Sequence, residues 1–403
     1  MLTIRQLISE EKLKFSRKMH QIEWMQLYKF LYIRQQKKTM NFFRLLLPFS
    51  LLVFLISCDQ EPQFHHDQLN SDDEFIFLQS NQLTDNQVLV FQKKADGSVE
   101  FKSNVSAHGT GTGANVGSDG TICLSQDKKW LYAVNAGSNT LAVFRNNRGV
   151  LTFTDTISTA GIKPVSVTTR NGKTFVVNAG GNGSLVGFKI DSFGILSRIG
   201  QPEIELNSTP AVPAQISFDA SGNFLVISEK LTNRLVSYYV DVLGNLSLSS
   251  SIDSQTPTPY GFAVGSNNYI YISEASANAL SIYKIENGLL SAVSGPHYTT
   301  QNGACWVALL PNLNFAYVLN AGSSTITGFN VSNPTQVTLL NANGVTATAA
   351  HPNETAVSQD GKFVYFLQSE SHSIGCFAVN PDGSLTRISD VYGLPIGCAG
   401  MEM

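Results

Sequence analysis

The sequence predicts an all-β chain folded as a seven-bladed β-propeller with four strands per blade. Two observations carry that expectation: a unit recurring seven times at a spacing of 44 to 53 residues, and a strand missing from the first unit that reappears at the C-terminus. Recurrence at this period is the mark of an array of supersecondary units, and four short strands per period are those of propeller blades.

Each unit is anchored by an aromatic residue that closes a short alternating strand. The seven are QVLVF ending at Phe91, TLAVF at Phe144, SLVGF at Phe188, RLVSY at Tyr238, ALSIY at Tyr283, TITGF at Phe329 and SIGCF at Phe377. A second strand precedes each, as in LYAVN, LVIS and IYIS, rich in the β-branched and aromatic residues that strands favour. Polar turns such as Asp127-Lys128, Asn171-Gly172 and Asp360-Gly361 lead into it, and a fourth strand follows turns ending in Gly149, Gly194, Gly244 and Gly383.

The first unit starts at Phe75 with its second strand. The stretch 394–403 matches the opening of the other units and is expected to supply the innermost strand of blade 1, closing the ring so that no sheet edge is left open.

NAGSNT from Asn135, NAGGNG from Asn178 and NAGSST from Asn320 fall in one column, between the second and third strands. Small and polar residues suit a tight antiparallel connection that needs positive φ, so these read as turns and not as a ligand loop.

The other segments are read from composition. Residues 40–57 combine Arg44, the apolar run Leu45–Ile56 and Ser57 before Cys58, the pattern of a secretory signal too short to span a bilayer comfortably. Residues 1–39 are expected to be an extension ahead of the true start at Met40, mis-assigned or disordered. Residues 58–74 read as an acidic tether with too few apolar residues to fold alone. Within it, His65-His66-Asp67 is no convincing metal site.

Residues 1–57 carry ten Lys/Arg against three Glu, so removing that +7 from the whole chain's −3 leaves −10 for the rest. An acidic body without a basic stripe argues against nucleic-acid binding, which needs clustered cations on phosphates. No cofactor motif and no metal-ligand spacing is present, and a monomer is expected.

Leu55-Ile56-Ser57-Cys58 resembles the lipobox of bacterial lipoproteins, which implies acylation of Cys58 and a membrane-anchored protein of the cell envelope, periplasmic or surface-exposed. VNAGSNTLAVF, SQDGKFVYFLQ and NPDGSLTRIS resemble the seven-bladed lactonase family, which includes propeller-type 6-phosphogluconolactonase and a carboxymuconate cyclase, and are similar to YVTN-type envelope propellers. The resemblance covers about 75–403 and implies the fold more firmly than the activity, because one propeller scaffold hosts many functions.

Inner strands line the channel, so a fixed offset of nine residues before each second strand marks a ring: Thr121, Val165, Gln215, Tyr260, Trp306 and Glu354, with Gly397 or Cys398 completing it. Thr121, Gln215, Tyr260, Trp306 and Glu354 are the candidate ligand-binding residues. The ring either grips a small polar ligand by stacking and hydrogen bonds or simply plugs the channel. Glu354 with His351 is the candidate acid/base pair.

In the lactonases an Arg-His pair on the fourth inner strand and a His one strand earlier are taken to handle the lactone. Here those positions read Ala214-Gln215 and Pro164, removing an imidazole base and a fixed cation. The expected function is therefore binding of a small molecule or protein partner at the channel. The alternative is a lactonase-type hydrolase, or a related cyclase or isomerase, with a rearranged site. His108, in a glycine-rich run, His297 and His372 read as surface-loop residues, and Cys123, Cys305, Cys376 and Cys398 as free thiols.

Overall fold

The aromatic residues that mark the repeat become the packing between blades. In the computed structural model, which describes residues 73–206 and 210–403, Phe91, Phe144, Phe188, Tyr238, Tyr283, Phe329 and Phe377 are all buried. Each side chain taken out of water contributes about 1.5–3 kcal/mol, so this one column supplies a large apolar share of the inter-blade cores. Cys58, the signal segment 40–57, the extension 1–39 and the tether up to residue 72 lie outside the described residues.

Seven antiparallel sheets form the ring, each ordered inner, second, third and outer strand. Blade 1 takes its inner strand, Ala399–Glu402, from the C-terminus and continues through Phe75–Gln79, Gln87–Lys93 and Val99–Ser106. Phe77 pairs with Glu402, Leu78 with Met401 and Gln79 with Ala399, so the two ends of the body share one hydrogen-bonded sheet. The closing strand is shorter than the expected 394–403. Leu394 is instead tied through its backbone N–H to the His372 carbonyl, and it packs in the core between blades 7 and 1.

Blade 6 departs from the four-strand pattern. Its outer strand is broken into Thr338–Leu339 and Ala347–Thr348, both paired to Thr325–Asn330, with a turn at Asn341–Gly344 between them.

The inner and outer strands point down and up respectively, so one end of the barrel carries the hairpins between second and third strands together with the blade-to-blade connections. The hairpins show why the NAG column recurs. Asn139, Asn233, Asn278, Ser324 and His372 each adopt positive φ there. The last residue of the second strand is a buried polar side chain that pins the hairpin: Asn135 donates to the Ala107 carbonyl and Thr140 Oγ1, and Asn178 to Ser184 Oγ. A side chain at Gly137 would collide with the Gly111 carbonyl at 2.2 Å, so the glycine-rich run around His108 packs tightly beneath this hairpin. His108 itself is exposed and stacks on Phe153.

Candidate functional site at the channel

The inner strands of blades 3 to 7 are six or seven residues long: Pro164–Arg170, Pro213–Phe218, Pro259–Val264, Ala304–Leu309 and Pro352–Val357. Each opens with a register shift against its second strand, a bulge that re-aims the side chains at the mouth of the channel. Blade 2 is different: its inner strand is only Ile122–Leu124, because the residues before it run across the channel.

That segment is sewn to blades 3 and 4. Ser118 Oγ donates to the Val165 carbonyl at 2.9 Å, the Asp119 N–H to the Ala214 carbonyl at 3.0 Å, and the Gly120 carbonyl accepts from the Val167 N–H at 2.8 Å. The Lys230 ammonium, from the hairpin of blade 4, holds the Gly117 carbonyl and lies 4.8 Å from the centroid of the Tyr260 ring. The segment thus carries the Asp119 carboxylate into the channel.

Cross-strand pairing fixes the level of the ring. Gln215 faces Ser228, Trp306 faces Leu319, Glu354 faces Leu367, and the Thr121 carbonyl accepts from the Val134 N–H. In blade 3 this level belongs to Ser166, opposite Val177, and in blade 5 to Gly261, whose carbonyl accepts from Ser273 Oγ. In blade 1 Gly400 comes to it, against Thr121 and beside the Glu354 carboxylate, so neither Gly397 nor Cys398 completes the ring. Tyr260 sits one residue above.

The candidate residues divide by environment. Trp306 is buried, meets Tyr260 edge-on with centroids 5.2 Å apart, and leaves its Nε1–H without a partner. Thr121 is buried with its Oγ1 likewise unpartnered. Gln215 is committed: its Nε2 donates to the Phe262 carbonyl at 2.9 Å and its Oε1 accepts from the Phe262 N–H at 2.5 Å, a clamp between blades 4 and 5. Glu354 is buried, with Asp119 and the Gly400 amide as its neighbours. His351 is exposed on the connection to blade 7 at φ +49°, its carbonyl held by Ser369 Oγ.

Asp119 and Lys230 are the residues that a repeat-based reading passes over. Both stand outside the strands that the repeat aligns. The available signal for the first is Gly117-Ser118-Asp119-Gly120, an acid flanked by glycines where the other blades begin a regular inner strand.

The electrostatics are those of a carboxylate cluster taken out of water. Burial raises the Glu354 carboxyl well above its ordinary range and the nearby charge of Asp119 raises it further, against the Gly400 amide. Burial likewise raises Asp119. Glu402, on the closing strand, is pushed up to about 8 by burial and then by Asp119, with Lys128 opposing. The Lys230 ammonium is pushed down to about 8 by burial and then by Lys163, with Cys305 opposing. The Tyr260 hydroxyl is raised by burial first. Perturbed acids and a perturbed amine lying near one another in the channel are candidates for general acid–base roles.

Among the described residues no group of three or more His, Cys, Asp or Glu is arranged to hold a metal ion, and the described cysteines 123, 305, 376 and 398 are free thiols.

Comparison with known proteins bears on the whole body. The chain is 23% identical over 284 residues to a 6-phosphogluconolactonase of Photorhabdus laumondii, covering 68% of this chain and 85% of that protein. Its fold matches the periplasmic gluconolactonase of Pseudomonas aeruginosa with a TM-score of 0.65 at 18% identity, over 81% of this chain and 98% of that one. A Lactobacillus plantarum protein matches with a TM-score of 0.67 at 16% identity, over 82% and 98%. A model of the family described as Lactonase, 7-bladed beta-propeller matches residues 65–209, 201–296 and 289–396, and the chain belongs to that family.

Proposed function

We propose that the protein hydrolyses a sugar lactone at the hairpin end of its channel, with Asp119 as the general base. The observation that carries this is the Asp119–Glu354 carboxyl pair, raised by burial, beside Lys230, Tyr260 and two buried groups without partners, Trp306 Nε1 and Thr121 Oγ1. Buried polar groups are almost always satisfied, so two orphans at one level of a channel favour a ligand that satisfies them.

The chemistry follows from the groups. Asp119 takes a proton from water, and the hydroxide equivalent adds to the lactone carbonyl carbon. The oxyanion that forms is stabilised by the Lys230 ammonium. Collapse breaks the bond between the acyl carbon and the ring oxygen, and the Asp119–Glu354 pair returns the proton to that oxygen. The product is a hydroxy acid, and no oxidant or cofactor is needed.

The names of the relatives, a gluconolactonase and a 6-phosphogluconolactonase, motivate the substrate class. Lys163 and Lys230 at the mouth suit a substrate bearing an anionic substituent, whereas the carboxylates deeper in suit the uncharged ring. Acid release from glucono-δ-lactone and from its 6-phosphate, measured with the wild type and Lys230→Met, tests the reading. Turnover should fall at least about tenfold in the variant with either lactone, through loss of oxyanion stabilisation.

A second reading is binding without turnover. It is favoured by the commitment of Gln215 to Phe262, in a family whose Arg-His positions here hold Ala214-Gln215. A lactone-induced rise in melting temperature with no acid release supports it. With either reading goes the proposal of a monomeric envelope lipoprotein. Incorporation of labelled palmitate into the wild type and none into Cys58→Ser is its expected result.

A further inference from the structure

We infer that the end of the propeller opposite the candidate site lies against a lipid bilayer, with the turns of blades 2 to 5 dipping into its surface. The observation is a column of the repeat. The turns joining third to outer strands expose Val150 in blade 2, Phe193 and Ile195 in blade 3, Val242 and Leu243 in blade 4, and Leu289 in blade 5. Exposure is heavy at the tips, 77% for Phe193, 87% for Val242 and 70% for Leu243.

In the same column blades 1, 6 and 7 carry polar turns, Asp96-Gly97-Ser98, Asn333-Pro334-Thr335 and Asp382-Gly383-Ser384, whose Asp and Asn side chains bond their own backbone. The apolar residues therefore occupy one continuous arc of the rim. Folding does not require them, since the polar turns build the same hairpin.

Exposed apolar side chains at successive turn tips mark a surface meant for an apolar partner. Where the chain joins the body identifies that partner. Glu74 lies at this same end: its carbonyl accepts from the Lys93 N–H, its carboxylate pairs with Lys93 Nζ at 3.0 Å, and Phe75 packs on Gly149 of the blade 2 turn. The chain that the sequence expects to run from an acylated Cys58 thus enters the described body at Glu74, beside the start of the apolar arc. Arg145, which bonds the Ser192 carbonyl next to Phe193, and Lys173, which bonds the Asp241 carbonyl next to Val242, supply cations at the level of lipid headgroups.

The opposite end also exposes apolar residues, but these are spread over three positions of the repeat and not gathered at one turn: Leu83 and Leu231 in hairpins, Ile162 and Ile396 in blade connections, Tyr298 and Tyr392 at the ends of outer strands. With the arc against the bilayer, the mouth holding Asp119 and Lys230 opens away from it. This orientation rests on the proposed acylation of Cys58 and is independent of the proposed activity.

The test uses the full chain in vesicles of phosphatidylethanolamine and phosphatidylglycerol whose acyl chains are brominated. Single variants Phe193→Trp, Val242→Trp and Leu231→Trp are compared with wild type, which supplies the background of Trp24, Trp130 and Trp306. All three sites are exposed turn positions, so the fold is not at stake. The added fluorescence at 193 and 242 should be quenched by about half or more, the response of an indole at the headgroup and acyl boundary, and that at 231 should not change. Quenching at 231 equal to that at 193 and 242, quenching at none of them, or a chain that fails to float with the vesicles overturns the inference.

Discussion

Asp119 rests against Gly261: a Cβ on that glycine would lie 2.9 Å from Asp119 Oδ2 and 2.8 Å from the Cys305 carbonyl. Blade 5 has no side chain at the ring level, and the crossing segment of blade 2 fills the space with a carboxylate.

Gly261→Ala should therefore displace Asp119. Because the Cys305 carbonyl is backbone and cannot swing away, the variant should also lose about 1–3 kcal/mol of stability by overpacking. Urea unfolding checks the second effect and lactone turnover the first. Full activity in a destabilised protein would separate Asp119 from the chemistry.

The carboxylate cluster makes stability depend on pH with a definite sign. A carboxyl whose folded pKa is raised contributes stability that is complete below its unfolded value and lost as pH rises through the folded one. Glu402, raised from 4.5 to about 8, and the raised Asp119 and Glu354 all act in this direction. Lys230, lowered from 10.5 to about 8, acts oppositely: its contribution is present above the unfolded value and lost as pH falls through about 8, so it offsets the trend only at the alkaline end. The melting temperature should fall from about pH 5 to about pH 8, and Glu402→Gln should flatten the fall. A profile identical in the variant would show that Glu402 is solvated.

Phe144 is fully buried and meets Phe153 edge-on at 5.9 Å. Phe144→Ala should cost about 3–5 kcal/mol, the range for emptying an aromatic site in a core that cannot collapse, measured by denaturant unfolding.

Removing residues 394–403 takes the inner strand from blade 1 and opens the ring at Phe75–Gln79. Cooperative melting should be lost or lowered by well over ten degrees, roughly the effect of several kcal/mol on a domain of this size. An unchanged melt would mean that closure is not what holds the seam.

The repeat was readable because the same physical demand recurs in every blade: an aromatic between sheets, an αL residue in the hairpin, a polar residue pinning it. Counting nine residues back from the second strand found Thr121, Gln215, Trp306 and Glu354 at one level because their turns are equally long. Four residues separate Ser125 from Trp130, Asp219 from Phe224, Leu310 from Phe315 and Ser358 from Phe363. Blade 5 has three between Gly265 and Tyr269, which puts Tyr260 nine residues back where Gly261 stands at the level. Blade 3 has only two between Arg170 and Lys173, and Val165 is nine residues before Thr174, the second residue of that strand, so Ser166 at the level is missed by one. Asp119 was illegible for a different reason. Its position depends on a segment that leaves the repeat and is fixed by bonds to Val165 and Ala214, residues some 45 and 95 positions away that no local pattern connects.

The measurement that bears most directly on the proposed chemistry is acid release from glucono-δ-lactone and its 6-phosphate by the full chain and by Asp119→Asn, at matched concentration near neutral pH. The wild type should accelerate hydrolysis of at least one lactone over buffer, and the variant should retain its fold while losing about 100-fold or more of that rate, as expected for removal of a general base. Hydrolysis that is no faster than buffer, or equally fast in Asp119→Asn, would contradict it.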